Sequence, residues 1–446
     1  KIKGKGRHCA APIAVTIESV PPYGRRLFVT AMAAEAGGKA GKGPPPITAA
    51  WMNLTKNLIG AGIFSLPSGL KSGSVIPGLT AMVTVCIFCS SSFILIAYLC
   101  KRLRCETYRE VFCMAFGKNT GVLIDGFICT NGFFACVAYT ILVADFLQKA
   151  AEGLLGVVPN RVMLIACNTC CFMLPLSHAK DLSALRYTSM MGLLIIAFVF
   201  MFIVSDCWKS EDAPSNLKAH ALHLNMGIFR TVALCTGAFQ AHYNAPRIFK
   251  QLHGDLQAHA QTVVASFGTA FAVYSLFAVS GLGLFGDRLL GNVLRNYDPD
   301  NTAIMMVWFG MAFAIIFTYP LVFTAARESL VGSQPFLQEA YRRQPLLAHV
   351  AITCTMVCAI SFVACCVEDV SKVTGTLGAV VGSSLCWICP SSVYLKLSRK
   401  GENNLSMPLN GKPLLPFNGP LSVYTSFLIL VGSISILVGV HAVWSN

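Results

Sequence analysis

Charge is scarce in this chain, and acid is scarcer than base. Only 12% of its 446 residues are Asp, Glu, Lys or Arg, against 55% hydrophobic. That balance excludes a soluble globule, and the apolar residues gather in runs of about 20 or more, the length that crosses a bilayer. No signal peptide is visible. No water-accessible cluster of catalytic side chains is visible either, so an enzyme is not expected. His178 and Asp181 adjoin a membrane boundary, but their spacing matches no hydrolase or transferase motif. No cofactor or resident metal is implied.

What is there reads as an all-α polytopic membrane protein. Eleven spans are expected at 48–70, 75–100, 121–147, 161–178, 187–206, 225–245, 262–285, 302–324, 348–366, 374–395 and 420–444. The excess of 34 Lys and Arg over 20 Asp and Glu is explained by topology rather than by a nucleic-acid partner. Lys101, Arg102, Arg104, Arg109 and Lys118 crowd the loop after span two, and Lys396, Arg399, Lys400 and Lys412 the loop before span eleven. Cytosolic loops carry such an excess, so the N-terminus is assigned to the cytosol and the C-terminus to the far side. Residues 1–47, rich in Gly, Pro, Ala and Lys, read as a disordered basic cytosolic tail. The chain opens on Lys rather than Met, which fits a fragment or an incomplete gene model.

Nineteen cysteines suggest disulfides, but most fall inside spans, where Cys serves as a small apolar packing residue. Cys207, Cys365 and Cys366 lie near the expected outer face, and the sequence does not choose a pairing among them. The sequons at Asn53 and Asn404 are intramembrane and cytosolic under this topology, so neither should carry sugar. His220 and His223 have helical spacing for a metal pair but lack acidic or thiol neighbours in sequence.

Two interruptions stand out. Asn57-Leu58-Ile59-Gly60-Ala61-Gly62-Ile63-Phe64-Ser65-Leu66-Pro67 breaks span one with glycine and proline, and Thr236-Gly237-Ala238-Phe239-Gln240-Ala241-His242-Tyr243-Asn244-Ala245-Pro246 breaks span six. Lipid offers nothing to the amides and carbonyls that such breaks release, so a polar solute or an ion must use them. The breaks lie five spans apart, the relation expected of equivalent helices in two inverted five-helix repeats, as in secondary transporters.

Further signatures agree in order and spacing: Thr107-Tyr108-Arg109-Glu110 through Phe116-Gly117; Pro175 through Leu182-Ser183-Ala184-Leu185, Tyr187 and Ser189; Phe285-Gly286 to Asn296-Tyr297; Thr318-Tyr319-Pro320; and Pro390-Ser391. With the two breaks they make the chain, from about residue 48 to 444, resemble the amino acid/auxin permeases (the AAAP family), which include the sodium-coupled neutral amino acid transporters. The resemblance implies a LeuT-type (APC superfamily) fold, with repeats at 48–206 and 225–395 and an eleventh helix at 420–444. It implies ion-coupled alternating access for a free amino acid in a plasma, vacuolar or lysosomal membrane, by a monomer held in lipid.

Free amides at Gly60, Ala61, Gly62 and Ile63 would then face the substrate carboxylate at a positive half-helix end. Carbonyls near Thr236, Gly237 and Phe239 would take its ammonium, while Gln240, Asn131 and Tyr139 are candidates for contact with the side chain. The family's sodium site, carried over, names Asn53 or Asn57 with Thr318, which suits a hard cation's preference for oxygen. Lys56, roughly 12 Å into span one by helical rise, departs from that pattern. It either snorkels or pairs structurally, or it replaces sodium and couples transport to a proton. His242 is a candidate pH sensor as well as a structural hydrogen-bonding residue. Asp125 and Asp145 are expected at interfaces or vestibules. The other functional reading is an amino acid sensor of the same fold that signals through a partner docked on the tail.

Overall fold

A computed structural model describes residues 46–178, 185–299, 302–399 and 419–445. Most of the expected tail (1–45), Asp181, residues 182–184 of the join after span four, and the Asn404 sequon lie outside the described residues.

Helix α1 (Ile47–Leu58) and helix α2 (Leu66–Gly73) are two halves of one rod, separated by Ile59, Gly60 and a 3-10 turn over Ala61–Ser65. Then come α3 (Val75–Leu103), α4 (Tyr108–Phe116) and α5 (Gly121–Leu155). A composite rod follows: α6 (Arg161–Asn168), a π-helical turn (Thr169–Met173) and α7 (Leu174–Ser177). After α8 (Leu185–Lys209) and α9 (Ala213–Ala219), a second broken rod consists of α10 (Gly227–Ala238), a 3-10 turn (His242–Asn244) and α11 (Ala245–Gln251). The rest is α12 (Leu256–Phe285), α13 (Thr302–Ser333), α14 (Pro335–Arg343), α15 (Pro345–Cys366), α16 (Val370–Leu377), α17 (Cys389–Arg399) and α18 (Gly419–Trp444). Two π segments, Gly378–Gly382 and Ser384–Ile388, join α16 to α17.

Seven of the described helices are long and apolar enough to cross a membrane, and the apolar stretch Arg161–Ser177 is shorter. Several overrun the expected spans. The third was bounded by its apolar run at 147, yet α5 continues to Leu155 and stops only where Gly156 turns left-handed at φ 63°. A glycine is the residue that adopts that conformation without penalty, so the cap rather than the hydropathy sets the end.

Local chemistry accounts for the irregular turns. Proline has no N–H to bond the carbonyl four residues back. Pro175 and Pro390 each lie two residues after the end of a π segment, so the widened turn falls where the regular ladder is interrupted.

Helices in such an apolar setting approach through small residues. A Cβ at Gly132 of α5 would lie 2.6 Å from the Ala326 Cβ of α13, which fixes that crossing. A Cβ at Gly378 would strike the Ala233 carbonyl and lie 2.6 Å from the Gly237 amide, so α10 and the first π segment touch backbone to backbone. On the other side of α10, Thr231 Oγ1 donates to the Gly69 carbonyl of α2 at 2.7 Å. The half-helices α2 and α10 are thus held side by side.

Candidate functional site

Both breaks have the backbone form that the sequence suggests. Ile59 is extended (φ −75°, ψ 96°) and so is Gly60 (φ −133°, ψ −168°), after which the 3-10 turn restarts the rod. The first N–H groups of a helix have no partner within it. Here the amides of Gly60, Ala61 and Gly62 find none among the described residues, while Ile63 N–H donates back to the Gly60 carbonyl at 3.2 Å. Ile63 is buried. A Cβ built on Gly62 meets nothing within 4 Å, and one on Gly60 only the Leu58 carbonyl at 4.0 Å, so both glycines border open space.

At the second break the last turn of α10 tightens. Gln240 N–H donates to the Gly237 carbonyl at 3.3 Å, leaving the Thr236 and Phe239 carbonyls without a donor among the described residues. The Thr236 carbonyl faces Gly382, because a Cβ there would sit 3.5 Å from it. Gly237 is packed against Gly378 and the Thr374 carbonyl, so its lack of a side chain serves helix contact rather than solute access. Gln240 is 9% exposed, and its Nε2 has no hydrogen-bond partner. Tyr243 is 37% exposed although it sits within the break. Open glycines thus mark the first break, and an unpartnered amide and a half-open tyrosine mark the second.

Sequence reasoning missed the residue that ties the two breaks. The Tyr274 hydroxyl of α12 donates to the Leu58 carbonyl, the last of α1, and also lies 3.1 Å from the Ala238 carbonyl, the last of α10. One O–H serves two half-helix ends at once. The available signal was a lone tyrosine in the apolar run of span seven, since a buried phenol needs a partner.

The expected ion ligands are not assembled in this conformation. Asn53 is exposed and donates to Gln251 Oε1 at 3.3 Å, and Asn57 is exposed and donates to the Asn53 carbonyl at 3.0 Å. Thr318 Oγ1 donates to the Ala314 carbonyl of its own helix. Lys56 is half-buried, with no ion pair among the described residues. Helix α1 packs along α12 instead, where Trp51 Nε1 donates to Thr269 Oγ1 at 3.4 Å.

The opposite end of the site is closed. Lys71 Nζ donates to the Asp287 carbonyl at 2.7 Å and the Leu289 carbonyl at 3.2 Å, and the loop residues Val293 and Leu294 are fully buried. Asp145 is buried in the last third of α5 and holds this loop through Asn292 Nδ2 at 3.1 Å, while pairing with Arg161 at 2.6 Å. Asp125 pairs with Arg109 at 3.1 Å. Both carboxylates are therefore committed to structural partners. His220 lies 3.4 Å from Asp287 and His223 faces the Ala219 carbonyl, so the two do not form a metal pair. Cys207, Cys365 and Cys366 are free thiols. His242 is fully buried and bonded on both ring nitrogens.

A cavity of about 420 Å³ lies elsewhere, lined by Ile76, Thr80, Phe88, Ile228, Trp387 and Val431 among others, and it is apolar. Its lining is almost wholly apolar and offers little to a zwitterion, so the unpartnered main-chain groups of the two breaks make the candidate site.

Residues 46–438 match the family described as transmembrane amino acid transporter protein. The chain is 23% identical over 373 residues to sodium-coupled neutral amino acid transporter 7 of Bos taurus, covering 79% of each. It is 24% identical over 409 residues to vacuolar amino acid transporter 2 of Saccharomyces cerevisiae, covering 86% of this chain and 81% of that one. Among solved structures, Mhp1, a nucleobase-cation-symport-1 family transporter in a closed conformation with bromovinylhydantoin bound, matches with a TM-score of 0.55 at 13% identity, covering 90% of each chain. The inward-facing conformation of Mhp1 matches with 0.54 at 11% identity, covering 89% of this chain and 90% of that one. At those identities the likeness is one of fold.

Proposed function

Because the chain belongs to the transmembrane amino acid transporter family, we propose that it carries a free amino acid across its membrane by ion-coupled alternating access. The observation that carries this reading is the pair of broken rods joined at Tyr274, with unpartnered amides on one side and unpartnered carbonyls on the other.

The amides of Gly60, Ala61 and Gly62 stand at the positive end of a half-helix and would bind the carboxylate. The Phe239 carbonyl, buried and without a donor among the described residues, would take the ammonium, with Thr236 and Gly237 partly committed to packing and to Gln240. Gln240, Tyr139 and Tyr243 would meet the substrate side chain. A zwitterion satisfies both poles, which a net charge of either sign does not.

In this proposal the eleven segments form two inverted five-helix repeats, at 48–206 and 225–395, with the helix at 420–444 outside them. The N-terminus is cytosolic and the carrier acts as a monomer in a plasma, vacuolar or lysosomal membrane. The loop latched by Lys71 and Asp145 shuts the outer side while Asn53 and Asn57 are exposed, so this conformation is inward-facing. Swinging α1 towards α13 would gather Asn53 or Asn57 with Thr318 around Na+. In a proton-coupled version, Lys56 takes the place of that cation. One charge moving inward across 100 mV supplies about 2.3 kcal/mol, enough for a roughly fiftyfold substrate gradient.

Uptake of labelled neutral amino acids into proteoliposomes, with a sodium gradient, a pH gradient or neither, tests the reading. Accumulation driven by one of the gradients is expected. Saturable binding without accumulation or exchange would instead mark a sensor.

A further inference from the structure

Behind the second break, three side chains from distant parts of the chain converge. Cys89 comes from the middle of α3, His242 from the 3-10 turn of the break, and Cys386 from the second π segment. All three are fully buried, and their two sulfurs and one ring nitrogen lie within 4.8 Å of one another. The sequence alone reads the two thiols as packing and the histidine as a lone polar residue, because 153 and 144 positions separate His242 from Cys89 and from Cys386.

The hydrogen bonds fix which ring nitrogen is available. His242 Nε2 lies 3.0 Å from the Cys89 carbonyl and 2.9 Å from Ser92 Oγ. A carbonyl only accepts, so Nε2 carries the proton and Nδ1 presents a lone pair. That lone pair points at Cys386 Sγ, 3.0 Å away. A metal-ligating imidazole usually donates its other N–H to a main-chain carbonyl or carboxylate, as Nε2–H does here to the Cys89 carbonyl. The ring is further oriented edge-on to Phe93, with centroids 5.5 Å apart.

We propose that Cys89, His242 and Cys386 form a binding site for a thiophilic d10 cation, Zn2+ foremost, that rivets α3, the second break and the π segment together. Soft thiolates with one imidazole select such ions over Na+, Mg2+ or Ca2+. Charge balance favours Zn2+ over Cu+. Loading releases two thiol protons to solvent as two Zn–S bonds form, leaving a neutral centre where a residual charge would be costly. Zn–S near 2.3 Å and Zn–N near 2.0 Å at a tetrahedral angle put sulfur and nitrogen about 3.5 Å apart, so Cys386 and His242 need open by only about 0.5 Å. The three side chains leave a fourth position for water or a small thiol. Because His242 belongs to the break while the two thiols belong to α3 and the π segment, occupancy of the site would stiffen that break.

The test is metal content rather than transport, so its failure is distinguishable from failure of the carrier reading. The intact chain is expressed in zinc-supplemented medium, purified in detergent, desalted and assayed by elemental analysis. A parallel sample is stripped by chelator and reloaded with Co2+ to read the thiolate-to-cobalt absorption. About one Zn2+ per chain and a thiolate–cobalt band are expected. Both should fall at least tenfold in Cys386→Ala and in Cys89→Ala, and persist in Cys100→Ala, another buried cysteine. Monodispersity on size exclusion shows that each variant is folded. If the single thiol variants misfold, His242→Gln supplies the same comparison with both sulfurs kept. Zinc retained equally by the variants, zinc absent from the wild type, or a mass two daltons low from a Cys89–Cys386 disulfide would each overturn the proposal.

Discussion

The phenol of Tyr274 donates to the main-chain carbonyl of Leu58, the residue at which α1 stops. Because the same hydroxyl also reaches Ala238 at the end of α10, the two breaks share one donor. Their separation is therefore set by a side chain that belongs to neither rod.

Tyr274→Phe removes that donor and keeps the ring edge-on to Phe239. Buried hydrogen bonds between membrane helices are worth about 1 kcal/mol, so the variant should fold and lose only a few degrees of melting temperature. Uptake rate should fall much more steeply than protein abundance. Unchanged uptake at saturating substrate would show that the link is dispensable.

The two kinds of glycine at the breaks should respond in opposite ways. Gly62 borders open space, so Gly62→Ala should fold normally, and Gly62→Val should abolish uptake while leaving size-exclusion behaviour intact. Gly378 abuts the Ala233 carbonyl and the Gly237 amide, so even Gly378→Ala should reduce folded yield. Equal loss of folded protein in all three would deny that Gly62 faces a solute.

How far the sequence was legible follows the range of each interaction. The breaks could be read because glycine and proline inside an apolar run leave main-chain groups that lipid cannot satisfy, a purely local argument. That argument names the Gly237 carbonyl but says nothing of its Cα face, which packs against Gly378, a neighbour 141 positions away that no local pattern reveals. Tyr274 and the Cys89, His242 and Cys386 cluster were hidden for the same reason. The π segments could not be placed from periodicity either, although Pro175 and Pro390 mark where the regular ladder must fail.

Asp145 should matter for stability rather than selectivity. Its carboxylate is buried and pairs with Arg161, whose side chain is 13% exposed. Breaking a buried pair by removing one partner costs about 3–5 kcal/mol, so Asp145→Ala should cause a large drop in thermal stability, read by thermal shift in detergent. Preference for cationic over neutral amino acids should not change, and a switch in that preference would put Asp145 at the substrate.

Lys56 separates the two coupling schemes. Lys56→Met should leave sodium and pH dependence untouched if the ammonium only snorkels, and should abolish pH-driven accumulation if it carries the coupled proton. Asn57→Ala and Thr318→Ala should raise the half-saturating sodium concentration in the sodium scheme alone. Initial rates across a matrix of sodium concentration and pH distinguish the outcomes.

Competition against uptake of a labelled neutral amino acid, using that amino acid, its N-acetyl derivative and its methyl ester, bears most directly on the idea that opposed half-helix ends grip both poles of a zwitterion. The unmodified compound should compete fully, and each blocked form should lose at least a hundredfold in potency. A blocked derivative that competes as well as its parent would contradict the account.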